Sequence, residues 1–504
     1  MSLSRNLLAG LFNSIWSALL GLAVVPFYLK YLGIEAYGLI GFFATLQALL
    51  QLLDMGMAPT INREVARCSA TGNLPEAGKL LHTLAVVYWC IAAIIALSIL
   101  AIAPLVAEYW LQSKQLPPQT ISHAVMLMGL VVACRWPIGL YQGALIGAQR
   151  LAVSSGISIA MVTVGNLGAV AVLAFVSPTI EAFFIWQACV GLVYAAAMRL
   201  GAWRVIGRIR GNRFDVNALK KIWRFTAGMS GITLMGLIFS QMDKVLLSKI
   251  LSLEEYAHYM LASVVVAGLY VLVTPTYNII YPRFSALVAS GDIEKLGESY
   301  KLYTRSLSVV LFPAAMILAV FSKDLIFVWT GNADIAKAVA PLVSLLVIGS
   351  ALNGIMYIPH ALQLAFGLTK LPLMINGLLM IIFFPLIIYL ALKYGSLGGA
   401  IAWLLLHTFY VFLGTWLTHR HLLKGFAVKW LLNDLGVPLA ISILVGIVAK
   451  YVCQDDAYSV YMKLAIGGGV GIFAVAAGIL LTPQLLYLLS RISRSRQVVK
   501  LNKI

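Results

Sequence analysis

Long apolar runs alternate with short polar segments along the whole chain. A helix that crosses a membrane needs about 20 mostly apolar residues. By that criterion the pattern predicts fourteen spanning helices. They cover residues 7–29, 37–60, 82–107, 121–148, 152–175, 181–203, 222–248, 257–281, 304–322, 337–365, 371–392, 397–418, 434–451 and 462–488. The connections between them are short, which favours a compact helical bundle without a separate soluble domain.

The composition agrees with a protein embedded in the bilayer. Of the 504 residues, 61% are hydrophobic and 11% are charged, whereas about 25% are charged in a typical soluble domain. Polar residues are too few to cover a water-exposed core. The composition therefore excludes a soluble enzyme and a partner such as nucleic acid. The first apolar run continues past Pro26 into further runs, so we expect an uncleaved spanning helix rather than a signal peptide.

Sequence motifs for metal binding and catalysis are missing. The five cysteines form no CxxC pair and no cluster with histidine, so the sequence predicts neither a disulfide framework nor a metal site. It also contains no Walker loop, no GxSxG and no HExxH. The chain is therefore predicted not to be an enzyme, to need no cofactor and not to be driven by ATP.

The basic residues predict an orientation. The chain has 36 Lys and Arg against 18 Asp and Glu, a formal net charge of +18. If the N-terminus is cytoplasmic, 26 of the 36 basic residues fall on the cytoplasmic side, 8 on the opposite side and 2 within spans. Cytoplasmic loops carry the excess of Lys and Arg, so both termini are predicted to be cytoplasmic. The basic stretches 199–224 and 491–503 are also candidates for contact with anionic membrane lipids.

Two short motifs recur at nearly the same distance along the chain. Residues 30–37 (KYLGIEAY) resemble 249–256 (KILSLEEY), and residues 143–151 (GALIGAQRL) resemble 363–371 (QLAFGLTKL). The offsets of 219 and 220 residues each span six predicted helices. This spacing predicts two parallel six-helix repeats that face each other across a central cavity. The alternative is a chance similarity between membrane loops of like composition.

The repeat predicts the domain organisation. The predicted parts are an N-terminal six-helix lobe (1–203), a basic linker (204–221), a C-terminal six-helix lobe (222–418), two appended helices (419–488) and a basic tail (489–504). Two repeated lobes that rock against each other give alternating access, so this organisation predicts a transporter.

Four ionisable residues within the predicted spans are candidates for function, because a charge there is costly and commonly functional. Asp54 is a candidate site for a coupling proton or cation, or else it forms a structural pair with Arg63 or Arg67. Arg135 is a candidate contact for an anionic substrate group, or else it forms an ion pair between helices.

The other two in-span charges, Asp243 and Lys244, are neighbours in the sequence. Adjacent residues are about 100° apart around a helix. We therefore expect one of them to face the cavity and the other to face a neighbouring helix.

A second set of charges is predicted at the cytoplasmic mouth. Its members are Arg63, Glu64, Arg224, Arg283 and Arg305. The planar fork of arginine can bind two phosphate oxygens at once, so a basic vestibule would attract a pyrophosphate headgroup. For any single member, ordinary anchoring at the cytoplasmic face is the alternative.

Several segments resemble a known family. Residues 26–39 (PFYLKYLGIEAYGL), 53–56 (LDMG) and 62–67 (NREVAR) resemble the start of the Wzx-type polysaccharide-transporter family. Its members are flippases for lipid-linked oligosaccharides within the multidrug/oligosaccharidyl-lipid/polysaccharide exporter superfamily. Residues 242–247 (MDKVLL) with Tyr256 resemble the seventh helix of that family. The resemblance therefore covers essentially the whole chain.

The resemblance implies a bacterial inner-membrane flippase for polysaccharide or O-antigen biosynthesis. Such a protein moves an undecaprenyl-pyrophosphate-linked repeat unit from the cytoplasmic to the periplasmic face. A cationic central cavity and coupling to H+ or Na+ are implied as well. The polymerase and the chain-length regulator of the same pathway are implied as partners.

The expected transport residues combine four positions that match the family with two chosen for burial and charge. The four are Asp54, Arg63, Asp243 and Lys244, and the two are Arg135 and Arg305.

Three other functions compete. Multidrug exporters share the fold but usually have twelve helices and an acidic cavity for organic cations, whereas the in-span charges here are mixed. Lipid II flippases also have fourteen helices, but their N-terminal pattern differs. A membrane glycosyltransferase or polysaccharide polymerase needs a sizeable outer loop, and the outer loops predicted here have roughly 6 to 15 residues.

Overall fold

The computed structural model describes residues 3–54, 56–207, 214–216, 236–453 and 458–480. These residues are almost entirely helical, and within them the only strand-like pairing is one isolated bridge between Gln112 and Ser252. The predicted all-α membrane fold is therefore confirmed. The chain divides into two compact units, Met1–Ala257 and His258–Ile504.

The first unit is built from helices that pack in pairs. They are α1 (Leu3–Leu32), α2 (Ile34–Leu50), α3 (Met57–Ala70), α4 (Leu74–Leu105), α5 (Pro118–Arg135), α6 (Ile138–Gly147), α7 (Leu151–Phe175), α8 (Ile180–Ile206), α9 (236–250) and the start of α10 (Leu253–Ala267). A 3-10 turn, Gln51–Asp54, follows α2, and a π-helical turn, Val106–Trp110, follows α4. Helix α5 packs against both α4 and α8, α1 packs along α7, and α3 packs against α6.

The second unit is organised around α12 and α14. Its helices are α11 (Tyr270–Ala289), α12 (Ile293–Val320), α13 (Ser322–Thr330), α14 (Ala333–Ala365), α15 (Lys370–His421), α16 (Ala427–Lys429), α17 (Val437–Val452) and α18 (Val460–Leu480). A π-helical turn, Trp430–Gly436, joins α16 to α17. Helix α14 packs against α11, α12, α13 and α15, while α17 and α18 pack against α12.

The helix lengths agree with repeated membrane crossing. Among the described residues, 11 helices are long and apolar enough to span a membrane, or 12 if the pair α10 and α11, bent by 46°, counts as one more. The predicted spans 371–392 and 397–418 form the single 52-residue helix α15, which Gly395 interrupts with a φ of 59°. The predicted span 222–248 lies largely outside the described residues. The total of fourteen spans and the cytoplasmic position of both termini stay predictions.

The predicted span 121–148 is divided into α5 and α6 by a turn at residues 136–137. Proline has no N–H to donate to a helix, so Pro137 interrupts the hydrogen-bond ladder at this point. The interruption makes Arg135 the last residue of α5 and puts Trp136 in the turn. Both side chains line a cavity that is described below.

Two glycines let α6 approach α3 closely. A Cβ atom at Gly143 would lie 2.7 Å from the carbonyl oxygen of Ala58, and a Cβ atom at Gly147 would collide with the carbonyl oxygen of Asn62. Larger side chains at either position would push the helices apart. This contact fixes the first turns of α3, and with them the end of the preceding turn at Asp54.

Both copies of the first repeated motif form turns between helices, at the junctions α1–α2 and α9–α10. In the first copy, Glu35 is 2% exposed and accepts hydrogen bonds from the loop after α4. The donors are the Ser113 hydroxyl at 2.6 Å and the backbone N–H groups of Lys114, Gln115 and Leu116 at 3.0–3.3 Å. These bonds compensate the buried charge. The repeat and the predicted domain boundaries, including the linker 204–221, stay predictions.

Candidate functional site

A cavity of about 740 Å³ lies within the first unit. Its walls come mainly from α1, α2, α5, α6, α7 and α8. The polar part of the lining consists of one carboxylate, one guanidinium, five amides and three phenols. These groups belong to Asp54, Arg135, Gln47, Gln51, Gln142, Asn166, Gln187, Tyr28, Tyr88 and Tyr194. The rings of Phe43, Trp136 and Phe183 add apolar surface.

Asp54 ends the turn after α2, and its carboxylate binds two donors. The Tyr88 hydroxyl donates to Oδ1, and the backbone N–H of Ala58 donates to Oδ2 at 3.3 Å. Ala58 lies in the first turn of α3, where N–H groups lack partners within the helix, so Asp54 caps α3. Arg63 and Arg67, the alternative partners of Asp54, bind the carboxylates of Glu64 and Glu76.

Arg135 is held by a neutral partner. Its Nη2 donates to Oε1 of Gln187 at 2.5 Å, and the guanidinium lies 5.8 Å from the centre of the Phe43 ring. Gln187 is buried, and its own Nε2 donates to the carbonyl of Gly165 at 3.4 Å, which turns Oε1 towards Arg135. Within the described ranges, Arg135 forms no ion pair with a carboxylate. The alternative of an interhelical ion pair is therefore wrong for these residues.

Asp54 and Arg135 line the same cavity but do not pair with each other. Among the described lining residues their formal charges cancel, so this cavity is not the strongly cationic one that the family resemblance implies. Arginine has five N–H donors, and the bond to Gln187 uses one of them. The geometry can therefore hold an anionic or hydroxyl-rich group at Arg135 and a proton or cation at Asp54.

Asp243 and Lys244 lie on α9 and do not belong to the lining of this cavity. Asp243 is 2% exposed, and Nζ of Lys244 lies 3.2 Å from its Oδ1. The same ammonium donates to the carbonyl of Ser240 at 3.2 Å. The long lysine side chain thus bends back to pair with Asp243. That one of the two faces a cavity and the other a neighbouring helix stays a prediction. Their role in transport stays a prediction.

Arg63 and Glu64 belong to a charged network on α3. Glu64 accepts from Arg63 at 2.7 Å and from Arg67 at 2.9 Å, and Arg67 also donates to Glu76 at 2.9 Å. Burial raises the pKa of Glu64, but the hydrogen bonds from both arginines outweigh it and hold that pKa below its usual range. Glu64 therefore offsets part of the positive charge predicted at the mouth.

Arg305 forms a buried ion pair in the second unit. Its Nε donates to Oδ1 of Asp434, which is 1% exposed and lies in the π-helical turn before α17. Beside this pair, Nε1 of Trp430 donates to Oγ1 of Thr304 at 3.0 Å. The Trp430 ring also stacks on Tyr300 with centroids 6.1 Å apart. The ion pair of Arg305 thus connects α12 to the segment before α17. The role of Arg305 in transport stays a prediction.

Two candidates for the cytoplasmic vestibule remain, Arg283 and Arg224. Arg283 is exposed on α11. Arg224 lies outside the described residues. Because the candidates come from both units, a basic ring at the cytoplasmic mouth stays a prediction.

The local sequence did not indicate the partners of three predicted site residues: Tyr88 for Asp54, Gln187 for Arg135 and Asp434 for Arg305. The first two are neutral polar residues within apolar runs, and nothing in their local pattern distinguishes them from other such residues. Asp434 is the first residue of the predicted span 434–451. It could have been found by counting ionisable residues at span ends together with those inside the spans.

The fold is shared with solved membrane transporters. The lipid II flippase MurJ in an inward closed conformation matches with a TM-score of 0.67, at 15% identity over 94% of this chain and 99% of MurJ. A multidrug resistance MATE family transporter of the MOP superfamily, in an inward-facing conformation, matches with a TM-score of 0.62, at 14% identity over 80% of this chain and 94% of that one. At 14–15% identity these likenesses define the fold class, a polytopic helical membrane protein with the fold of these two transporters.

Sequence similarity defines the family within this class. A putative O-antigen transporter from Shigella flexneri is 22% identical over 414 residues, which cover 80% of this chain and 94% of the relative. The family model for polysaccharide biosynthesis proteins matches residues 30–333. The chain belongs to this polysaccharide biosynthesis protein family. This confirms the resemblance to Wzx-type flippases and the location as a multi-pass protein of the bacterial inner membrane.

Proposed function

We propose that the protein flips an undecaprenyl-pyrophosphate-linked oligosaccharide repeat unit from the cytoplasmic to the periplasmic face of the inner membrane. The family match and the relative described as a putative O-antigen transporter support this substrate class. The fold shared with a lipid II flippase supports the movement of a lipid-linked molecule across the bilayer. The polymerase and the chain-length regulator of the same polysaccharide pathway are then its candidate partners.

The chemistry of the cavity is the observation that carries the proposal. Sugar hydroxyls both donate and accept hydrogen bonds, and amides such as Gln142 and Asn166 offer both functions. Aromatic rings such as Phe183 provide flat apolar surface beside them. The volume of about 740 Å³ is within the range of small-molecule sites. Arg135 adds a charged donor for an anionic group of the substrate.

The same lining argues against an organic cation as substrate. A cation attracted by Asp54 would also meet the guanidinium of Arg135, which no carboxylate in the described chain neutralises. Like charges in a site of low dielectric repel strongly. The multidrug function of MATE transporters is therefore the competing outcome that the experiment below must separate from the proposal.

In this proposal, transport proceeds by alternating access. The cavity opens first to the cytoplasmic side, where Arg135 binds the headgroup, and then to the periplasmic side. The lipid tail stays in the bilayer, because its transfer into water would cost about 0.8 kcal/mol for each CH₂ group.

Asp54 is the candidate group for coupling to H+ or Na+. Its carboxylate accepts hydrogen bonds from Tyr88 and from the first turn of α3. Protonation or cation binding weakens the carboxylate as an acceptor, because hydrogen bonds to a charged group are roughly twice as strong as neutral ones. Occupancy of Asp54 can thereby change the contact between α3 and α4, which carries Tyr88.

The proposal is tested in cells that lack the protein. Lipid-linked repeat units should accumulate on the cytoplasmic face, and the wild-type chain should restore surface polysaccharide. The Arg135→Ala variant should restore about ten- to hundredfold less at equal protein level, because a hydrogen bond to a charged group contributes about 1.5–3 kcal/mol. The matched control is Arg204→Ala, which removes an exposed arginine from α8 outside the cavity.

Purified protein in vesicles separates the two functions. The proposal requires that the glycan of a lipid-linked oligosaccharide becomes accessible across the membrane. Transport of organic cations together with no movement of the lipid-linked substrate would refute it.

A further inference from the structure

A second cavity, of about 390 Å³, lies in the first unit and shares no lining residue with the larger one. It lies between α4 and α8 and is called here the α4–α8 groove. The residues that matter for its chemistry are His82, Val86, Trp89 and Cys90 on α4 and Arg199 and Trp203 on α8. Tyr141 of α6, which is 1% exposed, forms part of its floor.

The helices around the groove present apolar side chains outward. On α4, Ile94 is 62% exposed and Leu97 is 67% exposed. On α8, Leu192 is 52% exposed and Leu200 is 60% exposed. In a membrane protein such surfaces contact acyl chains. An occupant of the groove is therefore a molecule of the bilayer rather than a water-soluble ligand.

The groove changes in polarity along its length. From His82 to Ala93 it follows α4 for about 16 Å, at 1.5 Å per residue. His82 and Arg199 lie towards the ends of α4 and α8 that also carry Lys79 and Arg204. These ends are predicted to be cytoplasmic, since basic residues concentrate on that side. The groove thus has a polar end at the depth of the lipid headgroups, and its apolar part extends from there into the membrane.

The polar end is suited to a phosphate. In the described part of the chain, Arg199 forms no ion pair with a carboxylate, and its planar fork can bind two phosphate oxygens. Trp89 and the buried Tyr141 both line the groove. Trp203, one helical turn beyond Arg199, adds an indole at the depth where tryptophan is enriched in membrane proteins.

We propose that the α4–α8 groove binds one anionic phospholipid, with its phosphate on Arg199 and His82 and an acyl chain along Val86, Trp89 and Cys90. A zwitterionic lipid brings its own cationic group to the same basic residues, so a lipid with net negative charge binds more tightly. The bound lipid joins α4 to α8 from the outside. This proposal does not depend on which molecule the protein transports.

The first experiment measures binding to the purified full-length protein in detergent. Phosphatidylglycerol, phosphatidylethanolamine and inorganic phosphate are added in separate titrations. We expect phosphatidylglycerol to remain bound in native mass spectrometry and to raise the melting temperature, because a ligand of the folded state stabilises it. Equal retention of phosphatidylethanolamine, or an equal effect of inorganic phosphate, would overturn the proposal.

Variants of exposed arginines locate the site. Arg199→Gln should weaken the binding of phosphatidylglycerol about fivefold, the effect expected for one basic group near an anionic headgroup. Arg199→Lys should keep part of the affinity, because it retains the charge but loses the fork. Arg204→Gln, which changes an arginine outside the groove on the same helix, should leave binding unchanged. Equal losses in Arg199→Gln and Arg204→Gln would show unspecific attraction and contradict the proposal.

Two native cysteines report on the acyl-chain part of the groove. Cys90 lines the groove and Cys189 lies outside it, and both are exposed. Phosphatidylglycerol should slow the alkylation of Cys90 by a membrane-permeant maleimide and leave Cys189 unchanged. Equal protection of both cysteines contradicts the site. The site is also contradicted if Arg199→Gln loses bound lipid-linked oligosaccharide but keeps phosphatidylglycerol, because the occupant would then be the transported molecule.

Discussion

Two sets of opposite charges, one in each unit, are arranged in opposite ways. In the first unit, Asp54 and Arg135 line one cavity, and each is held by neutral groups rather than by the other. In the second unit, Arg305 and Asp434 bind each other directly, with Asp434 almost fully buried. The first arrangement keeps two charges able to interact with an incoming ligand. The second uses both charges to hold helices together.

The difference shows that an ionisable residue in a membrane span is not by itself a sign of transport. What distinguishes Arg135 is its neutral partner, Gln187, and its position on a cavity wall. What distinguishes Arg305 is a carboxylate that satisfies it. Single substitutions can abolish either arrangement or convert one into the other.

The largest expected effect is on stability in the second unit. Arg305→Ala leaves the carboxylate of Asp434 buried without its cation, which should cost about 3–5 kcal/mol of folding free energy. Thermal unfolding of the purified protein measures the loss. Arg283→Ala, a change at an exposed arginine of the same unit, is the control and should unfold like the wild type. A small effect of Arg305→Ala would mean that the ion pair is not structural.

The next largest effect is expected for a variant that gives Arg135 a carboxylate partner, as Arg305 has in the second unit. Gln187→Glu puts a carboxylate against Arg135 and should neutralise it by direct pairing. We expect transport to fall by about tenfold or more, the effect of losing one charge-assisted hydrogen bond to the substrate, while stability is retained. Gln187→Leu distinguishes neutralisation from simple loss of the partner, since it leaves Arg135 charged but poorly held. Transport at the wild-type rate in Gln187→Glu would show that Arg135 does not bind the substrate.

A smaller effect concerns the hydrogen bond between Tyr88 and Asp54. Tyr88→Phe removes one donor to the carboxylate and should cost about 1 kcal/mol of stability. If Asp54 is the coupling site, Asp54→Asn should make flipping independent of an imposed H+ or Na+ gradient. For the stability of Tyr88→Phe the control is Tyr451→Phe, which changes a tyrosine that is 79% exposed. Gradient-dependent flipping in Asp54→Asn would move the coupling site elsewhere.

The smallest effect belongs to Glu64 at the surface. Its pKa is lower in the folded protein than in the unfolded chain, so its contribution is complete above the unfolded pKa of about 4.3 and is lost as the pH falls further. The contribution should be below about 1 kcal/mol. Glu64→Gln should therefore destabilise slightly at pH near 7 and not at pH near 3. A difference that stays constant across this range would contradict the ionic origin of the effect.

Much of the fold could be predicted because a spanning helix depends mainly on a local run of apolar residues. Residues 121–148 are predicted as one span, and Pro137 within it gives a visible reason for the break between α5 and α6. The bend between α10 and α11 has no proline at its break, at residues 268–269, so the local sequence gave less warning.

The candidate site could be predicted only in part. Asp54 and Arg135 stand out as charges in apolar runs, but their partners do not. Gln187 holds Arg135 across 52 sequence positions and Tyr88 holds Asp54 across 34 positions. Such partners are chosen by the packing of distant helices, and a single sequence does not encode them as a local pattern.

In the proposed function, Arg135 of the first unit binds the substrate, and the ion pair between Arg305 and Asp434 of the second unit does not. The most direct test is flipping of a lipid-linked oligosaccharide in vesicles, read as accessibility of its glycan to an impermeant reagent. Two variants are compared: Arg135→Ala, and Arg305→Met combined with Asp434→Leu, which replaces the ion pair with apolar side chains. We predict that flipping is lost in the first variant and retained in the second. Retained flipping in Arg135→Ala, together with loss in the double variant, would contradict the account.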